Sequence, residues 1–229
     1  MSEIIMNVPC MLALTIGSYM LGLKLRRRTG WTLLHPLLIS IPVIIAVLKL
    51  TDIPAEFYLE SNGVIEFFLG PCVVALGLKL YDYRQLIKQN LLPLLVSVCC
   101  GAVTGIASVW LLWRLFGLDE IFLLSLAPKS VTTAIAIDLS AALGGNASLA
   151  VVSVVMCGLI GAVIGPSVSK ILGFRSEIAK GVAMGCAAHG LGTSRALEES
   201  ALQGAISGLT MALMGVATAL LIPLMKLFL

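Results

Sequence analysis

Charge is scarce in this chain: Asp, Glu, Lys and Arg make up 12% of its 229 residues, roughly half the share of a soluble domain. Aromatics are few as well, at 6%, whereas 59% of the residues are apolar and mean hydropathy is +1.05. That balance excludes a water-soluble domain and specifies an all-α, polytopic membrane protein. The net charge of +3 is small, and the positives lie at span ends instead of forming a patch, so nucleic acid is not an expected partner. There is no CxxC pair; Cys10, Cys72, Cys99, Cys100, Cys157 and Cys186 sit almost entirely in apolar runs, which excludes a disulfide framework and a redox motif. Cys186 and His189 have CxxH spacing, but two ligands do not make a zinc site, and neither metal nor cofactor is expected. HExxH, paired catalytic carboxylates and a Ser–His–Asp set are all missing, so enzyme chemistry is not expected either.

What is present is a series of apolar stretches at about 8–23, 33–50, 64–80, 91–116, 121–143, 147–172, 178–197 and 205–227, which predicts seven to eight membrane segments in one transmembrane domain. The first stretch has signal-sequence length, but its positives (Lys24, Arg26, Arg27, Arg28) follow the apolar run, so it reads as a membrane segment. His35-Pro36 reads as the start of the second helix. Glycines at Gly101/Gly105, Gly158/Gly161/Gly165 and Gly204/Gly208/Gly215 read as helix-packing faces.

Two stretches break the pattern. Pro128-Lys129-Ser130-Val131-Thr132-Thr133 interrupts one apolar run, and His189-Gly190-Leu191-Gly192-Thr193-Ser194-Arg195 interrupts another. An ionisable residue at membrane depth costs at least ~2.5–3.5 kcal/mol, so it needs a partner, water or a ligand. Pro128 and the neighbouring glycines open the helical ladder and free backbone groups, and Gly70-Pro71 predicts a third break.

A shift of about 114 positions, which sets Gly70-Pro71-Cys72 over Met184-Gly185-Cys186, lays the two halves over one another and predicts repeats at 1–117 and 118–229. Asp52, Glu56 and Glu60 then correspond to Lys170, Arg175 and Lys180, while Lys79, Arg84 and Lys88 correspond to Glu198 and Glu199. Opposite charge in matching loops predicts halves of opposite orientation, with Arg26–Arg28, Lys79–Lys88 and Lys170–Lys180 all cytoplasmic. Residues 119–146 are too short to cross twice as helices, so that parity predicts a re-entrant segment with its tip near Lys129.

The chemistry of the breaks favours an anion. Lys129 offers an ammonium and Arg195 a planar fork; Ser130, Thr132, Thr133, Thr193 and Ser194 add hydroxyls; Gly190 and Gly192 free backbone N–H groups. Other roles stay open: Lys129 as a snorkelling residue or a partner of Asp138, and Arg195 as a partner of Glu198 and Glu199 one turn away. His189 and Asp138 are both candidate proton sites, and His189 reads equally as a hydrogen-bonded structural residue.

The two broken stretches, the second extending to Ala196, closely resemble motifs of the LrgB/CidB family of bacterial membrane proteins, and Pro71-Cys72-Val73-Val74-Ala75-Leu76 followed by Leu80-Tyr81 resembles a third. Ala134, Lys79 and His35 depart from the family pattern; the first makes the break near Lys129 less rigid, and none removes the Lys or the Arg. The resemblance spans nearly the whole chain. It implies either transport of small carboxylates, as in the plastid glycolate/glycerate translocator, or holin- or antiholin-like modulation of murein hydrolases and lysis. The second role implies a small LrgA/CidA-like membrane partner. Paired breaks favour the first: a secondary transporter of glycolate, glycerate, lactate or pyruvate type in the cell's inner membrane. Small-residue helix faces leave a homodimer open.

Overall fold

The computed structural model describes residues 7–29 and 36–225; His35 lies outside them. Contacts divide the chain into two units, Met1–Ala75 and Leu76–Leu229. In the first, α1 (Val8–Thr29) packs on α2 (Pro36–Leu50) so closely that a methyl at Gly22 would stand 2.7 Å from the Pro36 Cα. α3 (Ala55–Ser61) is clipped to α1 by Thr15 Oγ1, which donates to Asn62 Oδ1 at 2.8 Å and lies 2.8 Å from Tyr58 Oη. α4 (Gly63–Asp82) is helical through Gly70 and Pro71, where the sequence predicts a break. A single proline removes one N–H, and transmembrane helices tolerate that by local adjustment.

The second unit continues with α5 (Arg84–Gln89), α6 (Leu91–Phe116), α7 (Glu120–Leu126), α8 (Thr133–Leu143), α9 (Ala147–Ile171), α10 (Glu177–Glu199) and α11 (Ala201–Met225). Gly117 at φ 58° closes α6, Gly144 at φ 88° closes α8, and Asn146 caps α9 by accepting from the Leu149 N–H at 3.1 Å. α6, α9 and α11 are long and apolar enough to cross a bilayer, as are α1 and α4. Leu92, Val96, Val103, Leu111 and Leu115 lie exposed along α6, a surface suited to hydrocarbon and not to water.

Contacts fix the helix directions. Asn90 and Ser176 line one cavity and Gly101 meets Cys186 further along, so α6 and the start of α10 run in parallel. Gly181 meets Gln203 and Ile206, and Gly185 meets Ser207 and Thr210, so α11 runs the same way. Gly165, Gly161 and Gly158 meet Met184, Ala188 and His189 in turn, so α9 runs opposite.

Two elements do not cross. Ser130 lies against Gly105, and Leu123 clusters with Val109, so α7 descends antiparallel to α6. Ile135 lies against Gly215, and Leu143 clusters with Ile222, so α8 returns parallel to α11. The Asn146 N–H donates to Ser125 Oγ at 2.7 Å and closes the base of this first hairpin. Residues 119–146 therefore enter and leave at one end, the hairpin shape that a re-entrant segment requires.

α10 folds back as well. Its first part runs with α11, but Thr193 meets Ser207 and Leu197 meets Gly204, the reverse order. The reversal is at His189, with φ 39° and ψ −125° inside the nominal helix, and it brings Gly192 against the Met184 carbonyl. The arms, 177–188 and 190–199, are about 18 and 15 Å long, too short to span a ~30 Å hydrocarbon core. Two sequence expectations are corrected here: 178–197 is a hairpin and not a crossing, and Glu198 and Glu199 return to the end that carries Arg175 and Lys180. Within the second unit, α6 with its hairpin and α9 with its hairpin run in opposite directions, a different pairing from the halves 1–117 and 118–229 that the sequence predicts.

Candidate functional site

The hairpin tips meet on one stretch of α9. Val131 of the first tip and Ala136 beyond it pack, fully buried, with Ala150 and Val154. From the second tip, His189 Nε2 lies 3.0 Å from the carbonyl of that same Val154, with its ring against Gly158. α6 joins them from another side, with Gly105 under Ser130 and, one turn away, Gly101 under Cys186.

Lys129 is half-buried at the first tip. Its Nζ donates to the Gly105 carbonyl at 3.3 Å, and no ion pair to it is formed among the described residues. An ammonium at this depth keeps two further N–H donors for a solute. α8 starts beside it at Thr132, in extended backbone with no side-chain cap, so its first N–H groups and positive dipole end point into the tip. Ser130 is buried, Thr132 and Thr133 are half-buried, and Asp138 is exposed on α8 with no ion pair among the described residues.

At the second tip, His189 adopts positive φ although Gly190 follows it, a conformation that costs on the order of 1–3 kcal/mol and persists where surroundings over-determine it. The surroundings here are the Val154 carbonyl and Gly158, where a methyl would stand 2.5 Å from the imidazole Cε1. A carbonyl only accepts, so Nε2 carries the ring hydrogen and Nδ1 is the nitrogen free to take a proton. Gly190 is exposed, with only Met211 Sδ at 3.9 Å from an added methyl, so the start of the return arm faces open space.

The remaining residues of the second stretch face elsewhere. Thr193 is buried, donates to the His189 carbonyl at 2.9 Å and meets Ser207 Oγ at 2.9 Å, tying the return arm to α11. Gly192 makes room for the entry arm, and Ser194 is exposed. Arg195 directs its fork at Glu198 and Glu199, both at 2.6 Å. Lys129 and the start of α8 thus stand at the first tip, where Lys129 also borders an apolar cavity with Trp113, Phe116 and Phe122. His189 and the start of the return arm stand at the second, with Arg195 engaged further down that arm.

Arg195 holds two like charges apart. Its side chain is 12% exposed and those of Glu198 and Glu199 are 34% and 43%, so the pairs are screened on one side. Arg195→Gln is expected to lower the melting temperature in detergent by several degrees, and adding Glu198→Gln and Glu199→Gln should recover most of the loss. Additive losses in that cycle would show that the pairs carry no coupling.

Gly105, Val154, Gly158 and Ser207 are site residues that the sequence reading did not assign. Three act through backbone or absence of side chain; the small-residue spacing marks Gly105 and Gly158, as packing positions, and nothing in the sequence marks Val154.

An all-helical membrane protein whose second unit holds three helices long and apolar enough to cross a bilayer and two opposed hairpins is the class that this geometry defines. The chain belongs to the LrgB-like family, whose model matches residues 15–228. It is 37% identical over 211 residues to the uncharacterized protein YxaC of Bacillus subtilis, covering 92% of each chain. It is 34% identical over 215 residues to the holin-like protein CidB of Staphylococcus aureus (strain N315), covering 94% of each. No solved structure matches it.

Proposed function

We propose that this chain is a secondary transporter of small monocarboxylates and hydroxy-carboxylates, of glycolate, glycerate, lactate or pyruvate type, in the cell's inner membrane. The observation that carries this reading is the meeting of two opposed hairpin tips on Val154, one of which carries a lysine with no counter-charge among the described residues. Half-helix starts aimed at mid-membrane recur where transporters bind anionic groups. The naming of the staphylococcal relatives as holin-like favours a second reading, a regulator that permeabilises the membrane through assembly with itself or a small membrane partner.

Purified protein in liposomes separates the two. Transport expects saturable uptake of labelled pyruvate or glycolate with entrapped calcein retained; a holin-like role expects calcein release and no saturation. Inward movement of an anion against a negative-inside potential costs ~2.3 kcal/mol per charge at 100 mV, and a co-transported proton cancels that. Uptake is therefore expected to rise as external pH falls. His189→Gln should flatten the profile, and Asp138→Asn is the competing variant. Wild-type profiles in both would leave neither residue as the proton carrier.

A further inference from the structure

A cavity of about 450 Å³ lies between α6 and the entry arm of α10, away from the tip itself. Asn90 and Ser176 stand at its mouth, Ser97 and Ala183 along its walls, and Gly101 and Cys186 at its deep end. The mouth is at the end of the unit that carries Arg84, Lys88, Lys170, Arg175 and Lys180, basic residues that outnumber Glu177, Glu198 and Glu199 there. A field of that sign raises the local concentration of anions. At the deep end a methyl on Gly101 would stand 3.0 Å from Cys186 Sγ and 3.6 Å from Met214 Sδ, so the passage narrows to contact. One turn further along α6 is Gly105, whose carbonyl holds Lys129.

We propose that this cavity is the cytoplasmic vestibule of the solute path, that small carboxylate anions enter it from the basic end, and that the contact of Gly101 with Cys186 is the constriction separating it from Lys129. The proposal rests on the transport reading. Asn90, Ser97 and Ser176 set amide and hydroxyl groups into a lining that is otherwise apolar, Leu94, Phe174 and Val182 included, and the positive charge at the mouth is what favours a small anion over a lipid chain. Cys186, half-buried at the constriction, is a native reporter of what fills the space.

The test is thiol modification of the full-length chain with Cys186 as its sole cysteine, in inside-out and right-side-out vesicles. Anionic methanethiosulfonate ethylsulfonate, its cationic trimethylammonium counterpart and N-ethylmaleimide serve as probes, each rate normalised to its rate with free thiol in solution. The expected result is modification by the anionic reagent at least tenfold faster from the cytoplasmic side, and severalfold faster than by the cationic one. Reaction with N-ethylmaleimide alone overturns the proposal and makes the cavity a lipid-filled groove, and equal rates from both sides also overturn it. In a second arm Ala183→Trp, which narrows the wall without touching Lys129 or His189, is expected to lower saturable pyruvate uptake at least tenfold. Unchanged uptake in that variant removes the cavity from the path. Absence of carboxylate uptake in the wild-type protein defeats the transport reading itself, and the sided labelling then stands or falls independently.

Discussion

Lys129→Met is expected to reduce saturable carboxylate uptake by about a hundredfold or more while leaving the protein folded and inserted. Truncating one partner of a buried, hydrogen-bonded charge pair costs ~2–5 kcal/mol, which is some thirtyfold to a few thousandfold in affinity. Insertion moves the other way, since methionine keeps the apolar stem and removes an ammonium that the bilayer penalises. The lost bond to Gly105 costs little, because that carbonyl lies inside α6 and stays within its helical ladder. Lys129→Arg keeps the charge in a larger, planar group and should retain part of the activity with a raised KM. The measurement is uptake into liposomes at matched protein density, with size-exclusion behaviour in detergent as the folding control. Wild-type affinity in a folded Lys129→Met protein would remove this residue from the solute site.

The first hairpin was legible in the sequence because two independent signals agreed. Polar residues at membrane depth marked the tip, and the parity of basic loops required residues 119–146 to return to the side they entered. The second hairpin was marked equally well at its tip, yet its return arm was placed on the wrong side. The reason lies in Glu198 and Glu199, whose charge does not mark the outside. Acidic residues contribute little to membrane orientation, which is governed by Lys and Arg, and here Arg195 holds both carboxylates as ion pairs. The glycines were read correctly as places of close approach, but no spacing rule states what approaches. Gly105 lies under Ser130, and Gly158, Gly161 and Gly165 lie under His189, Ala188 and Met184, so two faces expected to pack crossing helices carry the hairpins instead. The Val154 carbonyl could not be found from sequence at all, since every residue has one and only the fold decides which meets an imidazole.

Cysteines placed at Arg175 and Glu199 on a cysteine-free background should label from the same side of the membrane, and a cysteine at Leu118 from the other. The expectation is all-or-none, because side is a topological property and not a matter of degree. It follows from the directions of the two α10 arms: the entry arm runs with α11 through Gly181 and Gly185, while the return arm runs against it through Thr193 and Leu197. A crossing α10 is incompatible with Gly192 resting on the Met184 carbonyl, because eight residues of straight helix separate two groups by about 12 Å. Gly192→Val tests the same contact from within: a branched side chain pressed against backbone leaves no room for the return arm. That variant is expected to lose folded yield and to shift residue 199 toward mixed-sided labelling. Labelling of residue 199 together with residue 118 in the unmodified hairpin would make 178–197 a crossing helix after all, and would carry the second tip, with His189, away from Lys129.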